Sequence, residues 1–471
     1  MPVVQFHNST GCVNASVGSH RNKTARTEGF MRFRCQVQKM EVCPDKDSTI
    51  FELTKQEFES LLSPQLGSDV RVEDFKTQAL TQPGDNYGSA ILSAELNIKQ
   101  GNKRNTLALV VKLVPPSAFL REAFDIEVTF SKEVNAYRLV SPQYKDLQEE
   151  KGVPSNKRVD VFPKFYGART NKQGDFNDKS DDTAVLLLGN LKVDGYCTGN
   201  RRKGLNLKHM ELGVTQLARF HAVSVALKIL KPNVFKETVL KSCDRYIVAG
   251  ISDDEVAEKW ITSTVNDVKC IQECLPYLEK IERILREDLK RKVNPSPPPP
   301  KEPFATFVHN DFWVNNMMFL YETDDDNAND PCKTEIPISI KFVDFQTTLY
   351  ASPIHDLIFF IYSSAVSGVV KDHCDDLIGL YHHEFIDCLT GLACDIDPFS
   401  IEKFQDELNT NAPKELPHIL FMAKFITAHE NEVPQLSDVN ADVMLQDNYG
   451  GELFEEKVKF VVQDFVQRGW L

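Results

Sequence analysis

The pattern of apolar and polar positions predicts strands in the first part of the chain and helices in the rest. Residues 90–98 alternate between the two classes, and residues 107–114 are apolar apart from Lys112. The polar stretch between them predicts a hairpin turn over 99–105. Two further strands are predicted over 70–80 and 184–188, and a helix over 51–62.

Helical spacing of apolar residues dominates the chain beyond residue 191. Beyond residue 191, helices are predicted over 209–230, 253–292, 354–366, 374–390 and 452–468. One earlier helix is predicted over 119–139. We therefore expect an α+β fold with two lobes, a small β-rich N-lobe over 49–190 and a large, mainly helical C-lobe over 191–471. Residues 1–48 are polar and irregular, which predicts a disordered N-terminal extension.

Charge and composition narrow the range of partners. The formal net charge of −14 argues against an extended nucleic-acid interface and against docking to anionic membrane, because both need clustered Lys and Arg. The substrate is therefore expected to be small and either uncharged or cationic. No apolar run reaches the length of a membrane span, and a cytoplasmic location is expected. The 11 cysteines form no paired framework, which predicts reduced, mostly buried thiols. The sequence does not indicate the oligomeric state.

The strongest chemical signal is the segment from His309 to Asn316, which reads His-Asn-Asp-Phe-Trp-Val-Asn-Asn. It matches the catalytic-loop pattern H-x-D-x-x-x-x-N of kinases. In that pattern the carboxylate of Asp311 is the base beside the acceptor hydroxyl, and the amide of Asn316 turns back towards Mg²⁺ on the phosphates. His309 is expected to hold the loop in place rather than to transfer a proton.

A second acidic position follows a predicted strand downstream. The apolar run over 338–343 ends in Asp344, followed by Phe345 and Gln346. A carboxylate at the end of a strand, 28 residues after Asn316, suits the kinase aspartate that holds Mg²⁺ on the β- and γ-phosphates. The alternative is a polar residue that merely ends the strand.

The N-lobe supplies a candidate phosphate-binding cation. Lys112 is the lone charge in its predicted strand, and either an edge-strand lysine or a phosphate-binding lysine fits that position. Glu133 in the following helix is a candidate ion-pair partner, with Glu122 and Glu127 as rivals. The preceding turn would cover the phosphates with backbone N–H groups, although a plain hairpin turn fits it as well. The turn residues predicted to bind the nucleotide are Gly84, Asn86, Gly88 and Ser89.

Several segments together resemble the ecdysteroid kinase-like proteins, relatives of choline kinases and aminoglycoside phosphotransferases. The loop with Trp313 is similar to the family signature HGDxWxxNxxF, and Asp344-Phe345-Gln346 to its DFQ. In the N-lobe, further matches are the turn over 84–89, the strand with Lys112, the helix with Glu133 and Tyr137, and the segment 162–166. In the C-lobe, they are the helix with His221 and the pair Ser352-Pro353 before Asp356. The resemblance runs from about residue 51 to the C-terminus and implies a two-lobed protein-kinase-like fold. It also implies that Asp356 braces the catalytic loop, whereas His221 is expected to be structural.

The resemblance implies an ATP- and Mg²⁺-dependent enzyme that phosphorylates a hydroxyl of an ecdysteroid-like steroid or a xenobiotic. Gly189 and Leu191 would contact adenine through the hinge backbone. Two departures from the family matter: Asn310 replaces the usual Gly of the loop, and Gly189-Asn190-Leu191 replaces the usual EDL. Neither removes a catalytic group, but a catalytically impaired pseudokinase that binds nucleotide or ligand is the alternative. The acceptor-binding residues cannot be assigned from the sequence.

Overall fold

The structure, a computed structural model, describes residues 53–80, 89–115, 117–244, 254–294, 296–322, 336–429 and 451–471. Residues Thr49–Leu471 form one compact unit. The predicted extension over 1–48 and the turn residues Gly84, Asn86 and Gly88 lie outside the described residues. Within the described part the predicted two-lobed α+β organisation is confirmed.

The N-lobe is built on an antiparallel sheet of five strands in the order β1-β2-β3-β5-β4. The turn between β2 and β3 is shorter than predicted, because pairing continues to Gln100 opposite Lys103 and Gly101 adopts a φ of 53°. One face of the sheet packs on the first helix to form a small separate core. The strands are β1 Arg71–Ala79, β2 Ala90–Gln100, β3 Lys103–Leu113, β4 Phe165–Arg169 and β5 Val185–Gly189.

Helix α1 spans Lys55–Leu66, four residues later than the predicted start. Its start is set by a capping box, in which the Thr54 hydroxyl accepts from the Glu57 N–H and the Glu57 carboxylate accepts from the Thr54 N–H. These two bonds satisfy backbone donors that the first helical turn leaves unpaired. Phe58 and Leu62 on the inner face are fully buried against the sheet.

The single helix predicted over 119–139 is wrong in its bounds. The structure has α2 over Ala118–Ala123, α3 over Ile126–Asn135 and α4 over Ser141–Glu150, with a π-helical turn over Ala136–Val140. Asp125, in the left-handed conformation with a φ of 46°, separates α2 from α3. Apolar residues keep the helical spacing on both sides of Asp125, so the sequence pattern could not reveal the break.

The C-lobe is mainly helical, and its long helices α5 (Leu207–Leu230) and α10 (Ser367–Gly391) pack side by side in the main core. The helix predicted over 253–292 is interrupted by a 3₁₀ turn over Gln272–Tyr277, which contains Pro276. Helices α6 (Pro232–Thr238), α11 (Ile401–Asn411) and α12 (Leu416–Thr427) were not predicted. The helices are α5 Leu207–Leu230, α6 Pro232–Thr238, α7 Asp254–Lys269, α8 Leu278–Val293, α9 Ile354–Ser364, α10 Ser367–Gly391, α11 Ile401–Asn411, α12 Leu416–Thr427 and α13 Gly451–Gln467.

Two small β elements of the C-lobe hold the catalytic-loop segment. Strand β7 (Thr306–Val308) pairs with β10 (Leu349–Ala351), and the segment leaves β7 directly. It then enters β8 (Met317–Tyr321), which pairs with β9 (Pro337–Phe342) and with the short strand β6 (Cys197–Thr198). Since β9 ends two residues before Asp344, this arrangement brings the ends of the two motifs together.

The prediction of reduced, mostly buried thiols is wrong at Cys197 and holds only in part for burial, since Cys274 and Cys374 are buried but Cys270 is exposed. Six of the described cysteines are free thiols, at positions 243, 270, 274, 374, 388 and 394. Cys197, however, is disulfide-bonded. None of the described helices is long and apolar enough to cross a membrane.

Candidate active site

Lys112 lies between two carboxylates that come from distant parts of the chain. Pairing of β3 with β2 and β5 places Lys112 opposite Ile91 and Leu186 in the interior of the sheet. Its Nζ lies 2.7 Å from Oε2 of Glu133 on α3 and 2.5 Å from Oδ1 of Asp344, which follows β9. Of the predicted rivals, Glu127 instead pairs with Lys179.

The charge balance of this cluster is negative. The side chain of Lys112 is only 5% exposed and that of Glu133 only 1% exposed, so water screens them little. Burial alone would lower the pKa of Lys112, but the charges of Asp344 and Glu133 raise it above its ordinary value. Burial and the charge of Asp344 raise the pKa of Glu133 to about 7 against the effect of Lys112. One ammonium therefore serves two carboxylates, and a further cation would be stabilised here.

The catalytic-loop segment is held at its start by Asp356 on α9. The fully buried carboxylate accepts from the backbone N–H of His309 at 2.6 Å and of Asn310 at 2.7 Å. Asn310 has a φ of 65°, the left-handed conformation that glycine and asparagine adopt at the lowest cost. The expectation that Asp356 braces the loop is confirmed, and the replacement of Gly by Asn leaves the local backbone path available.

Asp311 and Asn316, five residues apart, contact each other directly. Nδ2 of Asn316 donates to Oδ2 and to the backbone carbonyl of Asp311, both at 2.8 Å. The amide is thereby oriented, and its Oδ1 accepts no hydrogen bond from the described residues. Burial raises the pKa of Asp311, and the charge of Asp344 adds to this shift, whereas His418, His309 and the bond from Asn316 oppose it.

Two buried histidines connect these segments. Nε2 of His309 donates to the backbone carbonyl of Val343 at 2.9 Å, which ties the catalytic-loop segment to the residue before Asp344. His221 on α5 is hydrogen-bonded to Asp356 at 3.1 Å and to the Tyr381 hydroxyl at 2.8 Å. Burial lowers the pKa of His221 despite Asp356, so its ring is neutral near pH 7. Both histidines have the structural environments expected from the sequence.

Asp344 is fixed by the residue that follows it. Asp344 has a φ of 68°, and Phe345 turns into the core between the lobes. The Phe345 ring stacks on Phe162 with a centroid distance of 4.9 Å and contacts Tyr137 of the π-helical turn at 5.5 Å. This packing couples the position of the Asp344 carboxylate to α3, which carries Glu133.

Two of the three backbone N–H groups in the hinge segment Gly189-Asn190-Leu191 are hydrogen-bonded within the protein. The N–H of Gly189 donates to the Lys164 carbonyl at 2.8 Å, and the N–H of Asn190 donates to the Ala108 carbonyl at 3.1 Å. The N–H of Leu191 has no acceptor among the described residues, so it could contact a ligand. Ser89 is buried at the start of β2, whereas the rest of the predicted phosphate-covering turn lies outside the described part of the chain.

One cluster of ionisable side chains in the C-lobe was missed by sequence reasoning. Glu415 accepts a hydrogen bond from Nδ1 of His355 on α9, and Nδ1 of His418 on α12 lies 3.5 Å from its other oxygen. No local sequence pattern could have revealed this cluster. His418 lies in a mainly apolar helix, and Glu415 is 60 positions from His355 in the sequence.

Comparisons with known proteins give one matching family and two solved structures with low similarity. The model of the ecdysteroid kinase-like family matches residues 83–394, which include Lys112, Asp311 and Asp344. No curated protein sequence is significantly similar to the chain. Choline kinase from Cryptosporidium parvum Iowa II is 9% identical, with a TM-score of 0.42 over 84% of this chain and 91% of that chain. APH(2")-IIia, solved with GDP and kanamycin, is 10% identical, with a TM-score of 0.34 over 77% and 90%.

Proposed function

The chain belongs to the ecdysteroid kinase-like family, and we propose that it is an ATP- and Mg²⁺-dependent phosphotransferase that acts on a hydroxyl of a small molecule. The observation that carries this proposal is the convergence of Lys112, Glu133 and Asp344 in one buried cluster. Asp311 and Asn316 lie hydrogen-bonded to each other in the segment that His309 ties to Val343. These contacts support the proposal, because kinases pair the phosphate-binding lysine with a glutamate and carry the base and the metal-binding amide on one loop.

The donor set fits Mg²⁺. Hard cations prefer oxygen ligands. Such oxygens are supplied by the carboxylate of Asp344 and by Oδ1 of Asn316, which accepts no hydrogen bond within the described part of the chain. Because a single ammonium faces Glu133 and Asp344, the cluster has negative charge to spare for a divalent cation. When bound, the ion would neutralise phosphate charge. Lys112 would then orient the α- and β-phosphates, and the Leu191 N–H would contact adenine.

In the proposed reaction, Asp311 accepts the proton of the acceptor hydroxyl. The hydroxyl oxygen forms a bond to the γ-phosphorus, the bond from that phosphorus to the bridging oxygen breaks, and ADP leaves with the electron pair. Positioning and electrostatic stabilisation would supply most of the rate enhancement. We propose an ecdysteroid-like steroid or a xenobiotic alcohol as the acceptor, on the basis of the family, and a cytoplasmic location.

The alternative is a nucleotide-binding protein without turnover. The changed hinge, Gly189-Asn190-Leu191, is the feature that favours it. Against it, the backbone groups at the hinge do not depend on the missing acidic side chain, and every proposed catalytic group is present.

The test is ATP consumption with Mg²⁺ against ecdysone, p-nitrophenol, choline and kanamycin. The wild type is compared with Asp311→Asn, and with Asn315→Asp as a neighbouring control. Turnover of one acceptor that falls by about 10²–10⁴ in Asp311→Asn alone would support the proposal. Mg–ATP binding without turnover of any acceptor would favour the nucleotide-binding protein without catalytic activity. If the chain neither binds Mg–ATP nor turns over any acceptor, both proposed functions are contradicted.

A further inference from the structure

Helix α9 holds the catalytic-loop segment at a second point, beyond the contact made by Asp356. The Oγ atom of Ser364, the last residue of α9, accepts a hydrogen bond from the backbone N–H of Val314 at 3.0 Å. Ser364 lies eight residues after Asp356, which is about 12 Å further along a helix axis. The same helix therefore binds the backbone before Asp311 and the backbone just before Asn316.

The bond to Val314 caps a turn that cannot cap itself. Residues Val314–Asn316 form a short 3₁₀ turn, and Trp313 occupies its N-cap position with extended backbone. The first N–H groups of such a turn have no partner inside it, and an N-cap side chain usually accepts from one of them. An indole has no acceptor, and Trp313 makes no capping bond. Because Val314 is fully buried, Ser364 supplies the oxygen that its N–H needs.

Ser364 is itself held firmly in place. Its side chain is fully buried, and its Oγ lies 3.0 Å from the Oγ of Ser363. Its backbone carbonyl accepts from the N–H of Leu205 at 2.8 Å, and the carbonyl of Leu205 accepts from the N–H of Val366 at 3.1 Å. The end of α9 is thus fixed to the segment before α5, so the position of the hydroxyl is set independently of the turn.

The turn passes this position on to Asn316. The backbone N–H of Asn316 donates to the Trp313 carbonyl at 2.9 Å, which closes the turn. The carbonyl of Asn316 accepts at 3.0 Å from the N–H of Val343, the residue before Asp344. On the other side, a Cβ atom at Gly199 would lie only 2.7 Å from Cγ2 of Val314, so the turn has little room to shift towards β6.

We propose that Ser364 is a positioning residue for the metal site, which fixes Oδ1 of Asn316 relative to the carboxylate of Asp344 by capping the turn Val314–Asn316. This inference rests on the proposed function and deepens it. In Ser364→Ala the buried N–H of Val314 loses its acceptor, so the turn must move to satisfy it. A hydroxyl that served stability alone would leave the Mg²⁺ requirement unchanged when it was removed.

The experiment compares Ser364→Ala with a matched control in the full chain. The control is Ser224→Ala, because Ser224 on α5 is also fully buried and its Oγ accepts from the backbone N–H of Phe307 at 3.1 Å. Phe307 lies in β7, which pairing with β10 also holds. Each variant therefore removes one acceptor from one buried N–H, but only the first involves the turn that carries Asn316.

Two measurements are independent of turnover. Calorimetry of ADP binding over a range of Mg²⁺ concentrations gives the concentration at which Mg²⁺ has half its effect on ADP affinity. Amide hydrogen exchange, followed by mass spectrometry, reports the protection of the Val314 N–H without any ligand. Values of kcat and KM are added with an acceptor that the wild type turns over.

We expect the half-effective Mg²⁺ concentration and kcat each to change about tenfold in Ser364→Ala, upwards and downwards respectively, with the acceptor KM within about twofold. Ser224→Ala should stay within about twofold of the wild type in all three quantities. The Val314 amide should exchange slowly in the wild type and at least about tenfold faster in Ser364→Ala.

An unchanged Mg²⁺ requirement in Ser364→Ala would overturn the inference, as would an equal rise in Ser224→Ala. Rapid exchange of the Val314 amide in the wild type would overturn it without any variant. A wild type that binds ADP equally with and without Mg²⁺ would contradict both the inference and the proposed function. Failure of the proposed function alone appears as Mg²⁺-dependent ADP binding by the wild type without turnover of any acceptor.

Discussion

Lys112 and Asp344 are 232 positions apart in the sequence, yet their Nζ and Oδ1 atoms are 2.5 Å apart. Lys112 belongs to the central strand of the N-lobe sheet, and Asp344 follows a strand of the C-lobe. Glu133 completes the cluster from α3 at 2.7 Å. The ammonium thus connects the two lobes at the site proposed to bind the phosphates.

The first prediction concerns Glu133. In Glu133→Gln, Lys112 keeps only Asp344 as a charged partner, so the ammonium competes more strongly for the carboxylate that would hold Mg²⁺. We expect kcat/KM for ATP to fall about 10- to 100-fold, with the fold intact. Steady-state kinetics at saturating acceptor would measure this change. Glu127→Gln, which removes an exposed partner of Lys179, is the control and should change kcat/KM less than twofold.

The second prediction concerns the proposed metal ligand Asn316. Asn316→Leu has a similar volume but no oxygen, so we expect the Mg²⁺ concentration for half-maximal activity to rise at least about tenfold. A Mg²⁺ titration of activity at fixed ATP would reveal the shift. Asn315→Leu, at the neighbouring position, should leave the titration unchanged. An unaltered Mg²⁺ requirement in Asn316→Leu would show that this amide is not a ligand.

The third prediction concerns Asp356. Its buried carboxylate accepts from two backbone N–H groups and from His221, so Asp356→Ala would leave three donors without their acceptor. We expect the free energy of unfolding to fall by about 2–4 kcal/mol. Denaturant unfolding would measure it. Asp387→Asn is the control, because Asp387 is 46% exposed in a pair with Lys157 and should cost less than about 1 kcal/mol.

The fourth prediction concerns Asn310 and its φ of 65°. Glycine adopts this conformation without strain, whereas a residue with an ordinary Cβ is strained there. Asn310→Gly should therefore keep the free energy of unfolding within about 1 kcal/mol and retain activity, while Asn310→Ala should lose about 1–2 kcal/mol. Thermal unfolding and kcat measured side by side would check this. Greater stability of the Ala variant than of the Gly variant would contradict it.

Motifs with a fixed spacing could be located from the sequence, since the contact between Asp311 and Asn316 depends on one short loop. The position of Lys112 followed from a lone charge in an apolar strand. The break at Asp125 was not predictable, because apolar periodicity continues on both sides of it. The cluster of Glu415, His355 and His418 was hidden for another reason. Its members meet only when α9 and α12 pack together, and tertiary contacts of that kind leave no periodic signal.

The last prediction is a pH dependence of stability that comes from Glu415. Its pKa in the folded protein is held well below the ordinary value of 4.5, by His355 and His418 against the effect of burial. A carboxyl group with a lowered folded pKa stabilises the protein fully above its unfolded pKa, and this contribution is lost as the pH falls towards the folded pKa. The stability difference between wild type and Glu415→Gln should therefore be largest near pH 6 and shrink progressively below about pH 4.5.

Urea unfolding of both proteins at several values between about pH 6 and pH 3 would measure that difference. Glu149→Gln serves as the control, because Glu149 is 46% exposed in a pair with Arg158 and should differ little from the wild type at any pH. A difference between wild type and Glu415→Gln that stays constant down to pH 3 would mean that the ionised carboxylate does not stabilise the fold. The two histidines would then be held by packing, and the orientation of His418 would need another cause.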